Sequence, residues 1–112
     1  MNISYEEIGH MSVTFPAGAC EVGKVCKVNA EGAVTGCPGG DCFCGVVESI
    51  HGSFAGVQIH GFAKVGYSGT APTCGYVKLA ANGGGGVAVN TSGKEYLVVK
   101  VDTAEKTAVI EL

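Results

Sequence analysis

Neither arginine nor tryptophan occurs anywhere in the chain. Nucleic-acid recognition leans on arginine, whose planar guanidinium makes bidentate contacts to phosphate and guanine. With seven basic residues, all lysine, against ten acidic ones and a formal net charge of −3, no nucleic-acid partner is expected. Arginine and tryptophan also dominate compact interface hot spots, so their lack points to partners held by backbone pairing or by broad, shallow contact. Long apolar runs are missing as well. Nothing approaches the roughly 18 apolar residues of a membrane-crossing helix, and no membrane association is expected. The opening residues Met1-Asn2-Ile3-Ser4-Tyr5-Glu6-Glu7 have neither the positive region nor the apolar run of a secretion signal. A reducing compartment is therefore expected. The six cysteines (Cys20, Cys26, Cys37, Cys42, Cys44 and Cys74) then read as free thiols rather than a disulfide framework.

What the chain does have is glycine, 19 of its 112 residues, within a composition that is 46% apolar. That much apolar content supports a folded core, and the length suits one domain. Internal glycines disfavour helix by about 1 kcal/mol each relative to alanine, while the many valines and threonines fit a pleated surface. Turn signals recur about every 8–12 residues, the spacing of an all-β sandwich or barrel. Short strands are predicted at Met11–Phe15, Lys24–Val28 and Ala33–Thr35, then from Cys42 to Ser49. The clearest runs from Gly56 to Val65. Val57, Ile59, Gly61, Ala63 and Val65 share one face there, and Gln58, His60, Phe62 and Lys64 the other. Gly75–Leu79 and Val87–Val89 follow, separated by the loop Asn82-Gly83-Gly84-Gly85-Gly86. Tyr96–Val101 and Thr107–Leu112 form a hairpin whose turn Asp102 starts, its carboxylate accepting nearby backbone N–H groups. Helix has almost no claim, beyond at most one turn over Ser4–Ile8. The expected architecture is a small single-domain barrel or sandwich of short antiparallel strands with Gly-rich loops and a C-terminal hairpin. It comprises residues 11–112, preceded by an N-terminal arm over residues 1–10.

One passage has the residue types for chemistry: Cys37-Pro38-Gly39-Gly40-Asp41-Cys42-Phe43-Cys44. Three thiols in eight residues resemble part of a zinc site, which needs four ligands in a tetrahedron. Cys37, Cys42 and Cys44 are thus the candidate metal ligands, with Cys74 or His51 to complete the set. The spacing departs from the usual knuckle pattern, and the plainer reading takes these cysteines as small buried hydrophobes. Nucleophilic catalysis needs a thiol beside a base, and no signature links a cysteine to His10, His51 or His60. His60 alternates with Gln58 and Lys64 and is placed on the surface. The glycines at 83–86 are no phosphate loop. The nearest approach, Ser92-Gly93-Lys94, ends in Glu95 where serine or threonine is required and has Ala88 in place of the first glycine. Asp41 and Asp102 sit in turns, and Glu6-Glu7 reads as a solvated patch. No catalytic residue is assigned and no cofactor is expected.

Four passages, in order, carry a likeness to a known family. Pro16-Ala17-Gly18 precedes Glu21-Val22-Gly23-Lys24-Val25-Cys26-Lys27-Val28. Phe43-Cys44-Gly45-Val46-Val47-Glu48 comes next, followed by Ala55-Gly56-Val57-Gln58-Ile59-His60-Gly61-Phe62-Ala63-Lys64-Val65. Val98-Val99-Lys100-Val101-Asp102 through Thr107-Ala108-Val109-Ile110-Glu111-Leu112 closes the series. In that order they resemble the capsid decoration proteins of phages, a family of short head proteins that includes a widespread group of prophage head proteins. The cysteine content departs from that pattern. The resemblance implies a non-enzymatic protein on the exterior of the virion, made in the host cytoplasm. It would bind the major capsid protein, associate as a homotrimer and stabilise the head. The apolar residues Ile3, Tyr5 and Ile8 of the arm are the expected anchors to the shell or to a neighbouring copy. Two alternatives stand beside this reading: a small cysteine-based metal-binding module, and another virion structural component at the tail or head-fibre base.

Overall fold

The computed structural model describes residues 9–112; the expected anchors Ile3, Tyr5 and Ile8 and the turn over Ser4–Ile8 lie outside them. The described residues form ten strands and no helix. β1 (Met11–Pro16), β2 (Val25–Val28), β3 (Val34–Gly36), β4 (Gly45–His51) and β5 (Phe54–His60) make one antiparallel sheet, in the order β1-β5-β4-β2-β3. β6 (Phe62–Gly66), β7 (Gly75–Ala81), β8 (Val87–Val89), β9 (Lys94–Asp102) and β10 (Thr107–Glu111) make the second, in the order β6-β10-β9-β7-β8. The architecture is a small all-β sandwich, one of the two arrangements that the composition and turn spacing allow.

The chain passes from the first sheet to the second at Gly61. The single strand expected from Gly56 to Val65 is therefore two strands in different sheets. Gly61 has φ +93°, a conformation that side chains with a Cβ rarely adopt, and this lets the chain change direction between β5 and β6. The two-residue alternation runs through the break, because Val57, Gly61, Ala63 and Val65 are all buried. Gln58 is the exception to the predicted surface face. It is buried, and its Nε2 donates to the carbonyls of His60 (3.1 Å) and Phe62 (2.9 Å), bracing the backbone on both sides of the crossing.

The strand predicted from Cys42 begins only at Gly45. There the backbones close in: a Cβ on residue 45 would lie 2.1 Å from the Gln58 carbonyl oxygen, so only glycine fits. In the main core Val25 and Val46 of the first sheet meet Leu79, Ile110, Val98, Val87 and Val65 of the second. A second apolar cluster collects Cys26, Val34, Val47, Ala55 and Val57, with Phe15, Ala17, Cys20 and Ile59 packed against it. Neighbouring residues on a strand face opposite ways. Because Val25 and Cys26 are both buried, as are Val46 and Val47, the middle of the first sheet is apolar on both faces.

Loops are tied down by side-chain oxygens. Asn82 opens the glycine loop, and its Oδ1 accepts from Gly84 N–H (2.8 Å) and Gly86 N–H (3.1 Å). The Gly85 carbonyl in turn accepts from Val25 N–H at 2.9 Å, joining the loop to the first sheet. At the C-terminal hairpin, Asp102 Oδ1 accepts from Ala104 N–H (3.0 Å) and Glu105 N–H (3.1 Å), as the sequence predicts.

Candidate functional site

Edges matter in a two-sheet protein, because an open strand offers a row of unpaired backbone groups to another chain. The four edge strands here are β1, β3, β6 and β8. Beside β3, Gly18 N–H donates to the Val34 carbonyl and Gly36 N–H to that of Ala19, both at 2.8 Å, so the segment after β1 covers this edge. Beside β8, Tyr67 bridges Val87 and Ser68 N–H donates to the Val87 carbonyl at 3.0 Å. β6 places the exposed Lys64 on its edge, paired with Glu105 at 3.3 Å. A charged side chain of this kind discourages strand addition.

β1 differs from the other three. Its sequence Met-Ser-Val-Thr-Phe-Pro has no charge, and among the described residues its only strand partner is β5. Met11 at its start is 51% exposed, and Phe54, opposite Pro16 at its end, is 53% exposed. Ile50, on the same β4–β5 hairpin as Phe54, is exposed too. The entry to β1 is anchored. His10 Nε2 lies 2.6 Å from Glu48 Oε1 and 3.0 Å from Ser12 Oγ, and the Ser12 hydroxyl also donates to Glu48. Glu48 is the unpaired residue of an irregularity in β4, between Val47 and Ser49, where a bulge re-aims a side chain. Nothing in the period-two reading singled out Glu48, because a bulge leaves no regular trace in a sequence. His10 therefore enters the sandwich at an anchored corner of an edge that has no further strand partner among the described residues.

The thiols gather elsewhere. Cys37 is buried, and its sulfur lies 4.0 Å from the Cys42 carbonyl oxygen. Cys42 and Cys44 are exposed on either side of buried Phe43, whose ring stacks on Tyr96 at 4.9 Å between centroids. Cys44 N–H donates to the Cys26 carbonyl at 2.8 Å, bringing a fourth thiol to the group. Burial pushes the Cys37 thiol up to about 11 and the Tyr96 hydroxyl up to about 12. A hydrogen bond from Cys26 holds the Cys44 thiol down to about 7, and that same bond, with burial, raises Cys26. Cys74 and His51, the other ligands the sequence offered, are exposed. Among the described residues no group of three or more His, Cys, Asp or Glu side chains is placed to hold a metal ion. Cys37, Cys42 and Cys44 thus share a loop without forming a ligand set.

An open depression of about 490 Å³ lies nearby, lined by residues that include Cys20, Glu21, Lys24, Cys37 and Gly83–Gly85. One charge of each sign gives it no preference for an anion or a cation.

Comparison of the chain with known protein families, with curated proteins and with solved structures finds no match to any of them.

Proposed function

We propose that this chain is a non-enzymatic structural protein of a phage particle, binding the outer capsid surface to decorate and stabilise the head. The observation that carries the reading is the uncharged β1 edge, which has no strand partner but β5 among the described residues and is flanked by exposed Met11 and Phe54. Strand addition at such an edge supplies main-chain hydrogen bonds, and exposed apolar side chains at its two ends supply anchoring contacts. A shell with many copies turns contacts that are weak singly into strong attachment through avidity. The partner on this reading is the major capsid protein, together with further copies of the chain in a homotrimer, and the location is the exterior of the virion. The ordered likeness of four sequence passages to capsid decoration proteins supports the same assignment.

Co-sedimentation with capsid shells that lack the protein tests the proposal. The full chain pellets with the shells. Deletion of residues 1–8 abolishes binding while circular dichroism still reports the β fold. Thr14→Lys puts a charge at an exposed position of β1 and weakens binding at least about tenfold, because an edge lysine opposes strand pairing. Undiminished binding by both variants would refute the edge-and-arm account.

A further inference from the structure

We infer that Cys44 and Cys26 form an oxidative modification site, in which Cys44 reacts with a hydroperoxide and Cys26 resolves the product to an intramolecular disulfide. The geometry starts from the backbone. Cys26 pairs with Gly45 in the β2–β4 register, and Cys44 N–H also donates to the Cys26 carbonyl at 2.8 Å. Two successive residues thus meet Cys26, which places Cys44 beside it, just ahead of β4. Register partners on antiparallel strands have Cα atoms about 4.5–5.5 Å apart and a disulfide spans roughly 4.4–6.8 Å, so a residue tied by its backbone N–H to the Cys26 carbonyl is a near enough neighbour to be bridged.

The two thiols differ in the way the chemistry needs. Cys44 is exposed and opens on a groove that Ile59, His60, Lys94, Tyr96 and Leu112 also line. Cys26 is wholly buried. Its sulfur lies 3.5 Å from the Gly45 carbonyl oxygen, and its S–H, turned instead to Cys44, would set a donor beside a thiolate there. The titratable groups around Cys44 are Cys26 on β2, Cys37 and Cys42 in the preceding loop, His60 on β5, and Lys94 and Tyr96 on β9. Burial keeps Cys37 and Tyr96 protonated at neutral pH, so neither places a negative charge against the Cys44 thiolate.

The reaction balances. The Cys44 thiolate attacks one oxygen of hydrogen peroxide; an S–O bond forms, the O–O bond breaks, and hydroxide leaves. The Cys26 sulfur then attacks the sulfenic sulfur; the S–S bond forms and the S–O bond breaks. The hydroxyl departs with the Cys26 proton as water. Two thiols lose two electrons and the peroxide gains two. Nothing in this step depends on a place in a virion.

The test uses the reduced full chain, treated with one equivalent of hydrogen peroxide, then alkylated and peptide-mapped by mass spectrometry. The expected product is a Cys26–Cys44 disulfide within one chain. Cys44 should also alkylate fastest of the exposed thiols, with a pH–rate midpoint near about 7. A thiol at that midpoint outpaces a free cysteine about threefold at neutral pH, since the larger thiolate fraction is partly offset by lower nucleophilicity. In Cys26→Ala the Cys44 sulfenic acid should persist and be trapped by a cyclic 1,3-diketone, and the alkylation midpoint should rise. Cys44→Ser, at an exposed position, should leave the fold intact and give no disulfide to Cys26. A disulfide joining Cys44 to Cys42, to Cys37 or to a second chain would overturn the assignment. So would a Cys44 no more reactive than Cys42 and Cys74.

Discussion

Two residues carry more of the structure than their chemistry suggests. Gly45 opens β4 hard against β5, with the Gln58 carbonyl oxygen 2.1 Å from the position any Cβ would take. Because the obstacle is backbone, Gly45→Ala must displace a strand, and an unfolding titration should record a loss of about 2–4 kcal/mol. Gln58 is the one buried polar side chain in the described core, and its amide serves two carbonyls around the sheet crossing. Gln58→Leu would leave His60 and Phe62 carbonyls without that donor, at an expected cost of about 1–3 kcal/mol by the same measurement. Neither role is legible in the sequence. Gln58 falls on the polar side of a clean alternation, and only the turn of the chain at Gly61 brings two carbonyls within reach of its amide. Glu48 is similar, since a bulge decides where its carboxylate points.

Strands read well from sequence where one face is buried and turn residues bound them. The C-terminal hairpin is such a case: β9 and β10 flank a turn that Asp102 organises as its side chain predicts. Asp102→Ala should lower stability by about 1 kcal/mol in a denaturant titration, the usual net worth of side-chain hydrogen bonds in a turn. An effect below measurement error would mean the turn closes without the carboxylate. Legibility fails at two points for physical reasons. The run from Gly56 to Val65 keeps its alternation through Gly61, so periodicity alone cannot show that the chain changes sheets there. The run from Cys42 reads as one buried strand because the first residues of β4, Gly45–Val47, are buried on both faces, and such stretches lose the alternation that marks a strand's ends. The candidate site was legible in part. The cysteine cluster stood out as three thiols in eight residues, whereas the fourth member, Cys26, joins only through pairing between β2 and β4.

At the scale of the whole molecule, each half of the chain builds one sheet, and three of the four sheet edges are covered or charged. The remaining edge, β1, has no strand partner but β5 among the described residues and is flanked by exposed Met11 and Phe54. A protein that attaches in many copies along a shell has use for such an edge, and the proposed decoration role rests on it. On that proposal, the most direct measurement is the copy number of the chain in phage particles purified from the source culture. It would be quantified by mass spectrometry against the major capsid protein. The account predicts a fixed ratio amounting to hundreds of copies per particle. A handful of copies, as at a tail or vertex, or complete absence from the particle, would contradict it.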